Sequence, residues 1–362
     1  MEYILFLTYR CNLQCKYCFA KNVVHNEKTR ALTVTSENID NICQYIRNDI
    51  KVNSRQNNSI VFFGGEPSLV PNLIIDIINK TIDLDMKYSI YTNGLLLHTL
   101  SEDLLKHLHC ILVAIDGDRE SHEQFKPQGS YDKIIENVRI IKERTDAQII
   151  ARITMEETTN IFDSVTNLLD HFDYVHWQIV NKPHFDNLKK MLADYDCNIR
   201  KLFQNWLKNL KEGVIQQVIP FNRIALSMLA DENELSFRCG CGKSILAIDV
   251  EGNLYSCDEY VEDKKYAIGN ITDNDYNLIK YKSHLDLFDD CKTCEVSSIC
   301  LGRCRKALET QTDQQIKNYC YFSKILINII SNSIDEIREI LTRQKIDLQQ
   351  LHTEIYDTEI IP

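Results

Sequence analysis

The sequence predicts an α/β fold: a mostly parallel sheet with crossover helices, curled toward a partial barrel of six strand–helix units. Two observations carry this. From residue 1 to about 220, short runs rich in Ile, Val, Phe and Tyr alternate with stretches in which Leu, Ile and Val recur at three- and four-residue spacings. After about residue 235 Cys, Gly, Asp and Tyr become frequent, and helical periodicity is lost until about residue 320. Strands that alternate with helices pair in parallel through right-handed crossovers, so the first part reads as one large layer structure and the second as a small appended domain.

The strands expected in order are YILFLT (3–8), SIVFF (59–63), YSIYT (88–92), ILVAI (111–115), AQIIARIT (147–154) and YVHWQIV (174–180), runs bounded in the main by Gly, Pro, Asn or Asp. Between them NIDNICQYIRNDI, NLIIDIINKTI, SYDKIIENVRIIKERT and NIFDSVTNLLDHF carry the helical spacing. Ser36 with Asn38, and Ser101 with Asp103, read as helix starts. The stretch 324–352, KILINIISNSIDEIREILTRQKIDLQQLH, reads as a helix whose apolar stripe closes the core. In sheets of this kind the chemistry sits at the C-terminal ends of the strands. That is where TYRCNLQC, FGGEP, YTNG and AIDG fall.

The 362 residues carry a net charge of −11 and a pI of about 5.4, which argues against a nucleic-acid binder, because phosphate affinity needs clustered Lys and Arg. The densest basic run, Arg303-Cys304-Arg305-Lys306, reads as solvated surface or as charge flanking a cluster. No apolar segment approaches the roughly 18 to 20 residues of a membrane span, and no signal peptide opens the chain, so a cytoplasmic protein is expected. In that compartment thiols stay reduced, and the 14 cysteines point to metal rather than disulfides because they cluster. Cys43, Cys110 and Cys197 stand alone and read as small buried hydrophobes.

Cys11, Cys15 and Cys18 follow a C-x3-C-x2-C spacing on the loop after the first strand. Three thiolates on a four-iron cube leave one iron with an exchangeable position. With Tyr17 just before the last cysteine and Gly64-Gly65-Glu66-Pro67 ending the second strand, the chain resembles the radical SAM superfamily. The resemblance implies that S-adenosylmethionine chelates the open iron and that Gly64, Gly65 and Glu66 meet its amino group. It also implies that Asn93 and Asp116 contact its ribose and carboxylate, and that Arg152 holds the carboxylate as a charge-assisted pair. One departure is Ala114 in AIDG, where many relatives carry Ser, so a hydroxyl contact is missing or supplied elsewhere. The implied chemistry is reductive cleavage of S-adenosylmethionine to a 5′-deoxyadenosyl radical that abstracts an unactivated hydrogen.

The second cysteine group reads Cys239-x-Cys241, Gly252-x4-Cys257, Cys291-x2-Cys294-x5-Cys300-x3-Cys304 and Cys320. It is similar to the SPASM domain of radical SAM peptide modifiers. The resemblance implies two auxiliary [4Fe–4S] clusters, on Cys239, Cys241, Cys257 and Cys304 and on Cys291, Cys294, Cys300 and Cys320, and so three [4Fe–4S] clusters in all. The single glycine between Cys239 and Cys241 is a tighter spacing than in many relatives, and if only one of the two ligates, the first auxiliary cluster has an open site. A pair of four-cysteine zinc sites is the alternative.

Asp258, directly after Cys257, resembles the proposed general base of anaerobic sulfatase-maturating enzymes, against a plain turn-capping role. His122 reads as structural. The domains expected are 1–225 for the radical SAM partial barrel, 226–325 for the SPASM domain and 326–362 for a C-terminal helical segment. The leading expectation is a maturase that oxidises or crosslinks residues of a ribosomally made peptide. The alternative is an enzyme converting Cys or Ser to formylglycine, and a flavodoxin or ferredoxin is the expected electron donor. A non-enzymatic iron–sulfur sensor or carrier would have no use for the open triad and GGEP.

Overall fold

The computed structural model describes residues 1–182, 184–230, 240–276 and 288–351. Cys239 lies outside them. The six expected strands are all present, as β1 (Glu2–Thr8), β2 (Ser59–Gly64), β3 (Lys87–Thr92), β4 (Leu108–Ala114), β5 (Gln148–Met155) and β6 (Tyr174–Ile179). The helices before β6 are α1 (Lys21–Val24), α2 (Ser36–Asn53), α3 (Pro71–Thr81), α4 (Glu102–Leu105), α5 (Arg119–Phe125), α6 (Ser130–Lys142) and α7 (Ile161–Leu169). Next come α8 (Leu188–Lys211) and α9 (Ile219–Leu229), then the short strands β7 (Ile245–Ile248), β8 (Asn253–Tyr255) and β9 (Gly269–Asn270). The chain finishes with α10 (Ser297–Cys300), α11 (Arg305–Thr310), α12 (Asp313–Ser331) and α13 (Ile334–Gln344).

These elements form two compact units. The first takes Met1–Ile115, Glu123–Ile150 and Gly240–Tyr281. Its strands run in the order β4-β3-β2-β1-β7-β8-β9. β1 pairs in parallel with β2 on one side and β7 on the other, with Tyr3 opposite both Ile60 and Leu246. Every residue of β1 is buried, as expected of a parallel strand covered on both faces. The cap of α2 is Thr35, one residue before the expected Ser36, its side chain accepting from the Asn38 amide. Ser101 caps α4 as expected. Asp49 on α2 is buried, and it is stabilised there by Tyr3 Oη and Arg55 Nε, each 2.5 Å away. Cys43 and Cys110 are buried as small hydrophobes.

The second unit takes Asp116–His122, Ala151–Cys239 and Lys282–Pro362. Helix α8 carries Met191, Tyr195, Ile199, Leu202, Phe203, Trp206 and Leu210 on one buried stripe. Tyr195 meets Phe322 of α12 edge-on at 5.1 Å, and Trp206 Nε1 donates to Asn222 Oδ1 at 2.9 Å. Cys197 corrects an expectation: it is exposed, because it lies off that stripe. The single helix expected over 324–352 is broken into α12 and α13. At the junction Asn332 and Ser333, both weak helix formers, take the turn, and Ser333 leaves the helical region at φ −118° and ψ 9°.

Lys182 bridges Glu156 and Glu157 at 3.0 and 2.7 Å, and Glu157 also accepts from the amides of Asp186 and Asn187. Burial alone would raise the Glu157 carboxyl, but Lys182 and the two amides hold it below its ordinary value of 4.5. The stability this corner contributes is therefore complete above that value and is lost as pH falls through the lowered one. Urea midpoints measured across that acid range should show a decline in the parent that Glu157→Gln largely lacks. Parallel curves for the two proteins would contradict the assignment.

Candidate functional site

In the first unit three sequence motifs are laced together by backbone. The amide of Gly65 donates to Thr8 O at 2.7 Å and that of Glu66 to Arg10 O at 2.8 Å, so the GGEP turn lies against the end of β1 where the cysteine loop begins. The glycines are required by this approach. A Cβ on Gly64, which sits at φ +135°, would lie 2.4 Å from Thr8 O, and one on Gly65 would lie 2.3 Å from Arg10 O.

Glu66 is fully enclosed and acts as a hub. Its Oε1 accepts from Ser68 N, Ser68 Oγ and Thr92 Oγ at 3.0, 2.5 and 2.7 Å, and its Oε2 accepts from Asn93 N at 2.7 Å. Burial pushes its carboxyl up, against the opposing pull of the bonds from Asn93, Ser68 and Thr92. Asn93 carries the link onward: its Nδ2 donates to Asn12 Oδ1 at 2.7 Å and lies 4.0 Å from Cys11 Sγ. The structure thus brings Gly64, Gly65, Glu66, Asn93 and Cys11 into one network.

The three thiols share one partly enclosed neighbourhood. Burial pushes Cys11 up to about 12, with Glu66, Cys15 and Cys18 adding to the effect. Burial likewise pushes Cys18 up to about 11, with Cys15 contributing. The donor set is all sulfur, which fits an iron–sulfur group. Segment 124–126 fixes the loop from outside. Lys16 N donates to Phe125 O at 3.2 Å and Lys16 Nζ to Gln124 O at 2.5 Å. The Tyr17 ring lies 6.0 Å from Phe125, with Lys126 Nζ 5.7 Å from its centroid. Lys126, buried and bonded to Ala114 O at 2.8 Å, was missed from sequence because it follows no strand-end motif.

Asp116 and Arg152 belong to the second unit. Asp116 N donates to His122 Nδ1 at 3.1 Å, which gives His122 the structural role expected of it. Asp116 Oδ1 accepts from Thr154 N at 2.9 Å, joining the turn after β4 to β5. Arg152 is buried on β5.

Of the later cysteines, Cys241 and Cys257 stand in the first unit and Cys304 in the second. The amide of Gly242 donates to Ser256 O at 3.0 Å, which sets the residue after Cys241 beside the one before Cys257. Cys257 Sγ donates to Asp258 Oδ1 at 3.3 Å and accepts from Glu259 N at 3.4 Å, so Asp258 contacts a candidate ligand directly.

Cys291, Cys294, Cys300 and Cys320 line one cavity in the second unit, with Arg303 and Lys324 also on its wall and, among the described residues, no carboxylate or imidazole. The space outside atoms there, open solvent included, is about 370 Å³. Burial pushes the Cys291 thiol up to about 11, and Cys320, Cys300 and Cys294 each push it further, so the four are mutual neighbours. Among the described residues no three Cys, His, Asp or Glu side chains converge on a single-ion position. Zinc–sulfur bonds of about 2.3 Å would need such convergence, whereas a four-iron cube holds its ligands farther apart around a larger volume. The residues fit the cube.

The Radical SAM superfamily matches residues 5–158, which contain the triad, GGEP, Asn93, Asp116 and Arg152. The chain carries a radical SAM domain. A radical SAM domain implies S-adenosylmethionine and one iron–sulfur cluster as cofactors. The chain is 25% identical over 329 residues to a cysteine-type anaerobic sulfatase-maturating enzyme of Clostridium novyi, spanning 83% of this chain and 86% of that one. It is 28% identical over 378 residues to the radical SAM cyclopropyl synthase TigE of Paramaledivibacter caminithermalis, spanning 92% of this chain and 76% of TigE. Native anSMEcpe with bound AdoMet and Cp18Cys peptide superposes with a TM-score of 0.68 at 19% identity, over 93% of this chain and 99% of that one. That likeness shows the fold.

Proposed function

We propose that this radical SAM enzyme is a peptide maturase that oxidises or crosslinks residues of a ribosomally made peptide. It would use three [4Fe–4S] clusters, one on Cys11, Cys15 and Cys18 and two on the eight later cysteines, within domains of 1–225, 226–325 and 326–362. The observation that carries this is the four-cysteine cavity at Cys291, Cys294, Cys300 and Cys320, far outside the residues matched to the superfamily. A site built for a further cluster suits a net two-electron oxidation, in which a substrate radical must give up a second electron. When bound, the reduced cluster and S-adenosylmethionine supply hydrogen-atom abstraction by a 5′-deoxyadenosyl radical. This chain's own part is to hold the triad loop through Glu66 and Asn93, with Arg152 and Asp116 toward the carboxylate and ribose of S-adenosylmethionine. A flavodoxin- or ferredoxin-type protein would deliver electrons, in the cytoplasm, where thiols remain reduced.

A second reading is conversion of Cys or Ser to formylglycine, the work named for the Clostridium novyi relative's class. Asp258 favours it: a carboxylate in contact with Cys257, beside a candidate cluster, could take the proton that leaves with the electron. The two readings separate in an anaerobic LC-MS assay with reconstituted enzyme, S-adenosylmethionine, a low-potential reductant and a sulfatase-motif peptide. A formylglycine aldehyde accompanying 5′-deoxyadenosine establishes the second reading. Deoxyadenosine with an untouched peptide favours the first, and no deoxyadenosine under any reductant contradicts both.

A further inference from the structure

We propose that Arg303 is the buried cation that sets the reduction potential of the cluster on Cys291, Cys294, Cys300 and Cys320, and that Tyr319 is the residue that positions it. This rests on the reading of that quartet as a cluster site. Arg303 lines the same cavity as the four cysteines and is only 7% exposed. Its Nε is enclosed and has no hydrogen-bond partner among the described residues. The guanidinium carbon lies 4.2 Å from the centroid of the Tyr319 ring. Tyr319 precedes Cys320 in sequence and is itself held. Its hydroxyl accepts from Lys182 N at 2.9 Å and faces the Val180 and Lys182 carbonyls at 2.9 and 3.1 Å. Lys324 shares the cavity wall, but its side chain is 40% exposed and faces Glu295 at 3.6 Å, so solvent and a counter-ion screen it.

An enclosed guanidinium costs several kcal/mol unless something negative compensates it. Among the described residues no carboxylate stands on this cavity wall. Four thiolates on a cube with a dipositive core leave a net double negative charge, which would provide that compensation. Reduction adds one electron, here from the titrant dithionite, and deepens the negative charge. A fixed neighbouring cation therefore stabilises the reduced form more than the oxidised form and raises the potential. The bland alternative is that Arg303 only braces the Tyr319 ring. That would affect packing and leave the potential where it is.

The test uses the full chain carrying Cys11→Ala, Cys15→Ala and Cys18→Ala, reconstituted anaerobically and titrated with dithionite under EPR. The wave that disappears on adding Cys320→Ala belongs to the quartet. In an iron-replete Arg303→Gln variant that wave is expected to move to lower potential. The shift should be at least a tenfold change in the reduced-to-oxidised ratio, about 59 mV for a one-electron couple, with any other wave unmoved. Arg303→Lys keeps the charge and should recover most of the shift. An unmoved midpoint in iron-replete Arg303→Gln overturns the proposal. If Arg303→Gln loses its iron, Arg303→Lys decides: iron and wave retained near the parent potential support the proposal, and loss of iron in both overturns it. A parent without any iron–sulfur signal would instead remove the cluster reading itself, a failure distinct from an unmoved midpoint.

Discussion

Replacing Cys11, Cys15 and Cys18 together by alanine is expected to abolish 5′-deoxyadenosine formation outright while sparing the iron held by the later cysteines. Loss of the triad removes every thiol of the loop whose geometry is shared with Glu66 and Asn93, and the eight later clustered cysteines lie outside the matched residues 5–158. Iron per reconstituted chain should fall by about a third, from about twelve atoms to about eight, if three cubes are present. Loss of all iron would mean that the later cysteines depend on the triad for folding. Persistent deoxyadenosine would remove the triad from the chemistry altogether.

Glu66→Ala is expected to be the most damaging single change outside the cysteines. It strips the partner from the amides of Ser68 and Asn93 and from the hydroxyls of Ser68 and Thr92, all in a region sealed from water. Each orphaned buried donor costs about 1–3 kcal/mol, so a total of about 3–5 kcal/mol is expected in urea unfolding after some relaxation. Glu66→Gln does not rescue it fully. Oε1 faces the Ser68 amide and Oε2 faces the Asn93 amide, so either orientation of the glutamine sets its NH2 against a backbone N–H. Because Asn93 ties Glu66 to the Cys11 loop, both variants should also weaken the effect of S-adenosylmethionine on the EPR signal of the reduced protein. A cost below about 1 kcal/mol for the alanine variant would show that water or a shifted side chain takes the place of the carboxylate.

Much of this was legible in the chain because the signals are local. β-rich runs bounded by turn residues marked all six of the first strands to within three residues at either end. Strand-end motifs such as FGGEP and YTNG marked residues that the fold then brought together. Helix α8 went unread although its apolar stripe is regular, and the Thr312–Gln315 capping box that opens α12 was a readable start that was passed over.

Other features were not legible, because they depend on distant partners. Strands β7, β8 and β9 are two to four residues long and exist through pairing, β7 with β1 in particular. The basic run at 303–306 was read as solvated surface or as charge flanking a cluster. Instead Arg303, Arg305 and Lys306 are all buried, which rules out the first alternative, and Arg303 lines the cysteine cavity. Nothing in a tetrapeptide shows which cation faces a tyrosine ring, so Arg303 stood out only once Tyr319 was placed beside it.

The pairing of β1 with β7 bears on how this chain is made. β1 emerges first from the ribosome, yet one of its two neighbours, Ile245–Ile248, is synthesised more than two hundred residues later. Until then the first strand, apolar from Tyr3 to Leu7, presents an open edge, the kind of surface that recruits other chains in a crowded cell. Closing that edge is a contact of very high sequence separation, and such contacts form slowly. The loop bearing Cys11 begins at the end of that same strand. The strand that leads into it is therefore paired on both sides only once the second half of the chain is made, and iron delivered to a nascent chain would meet a loop whose supporting strand still has an open edge.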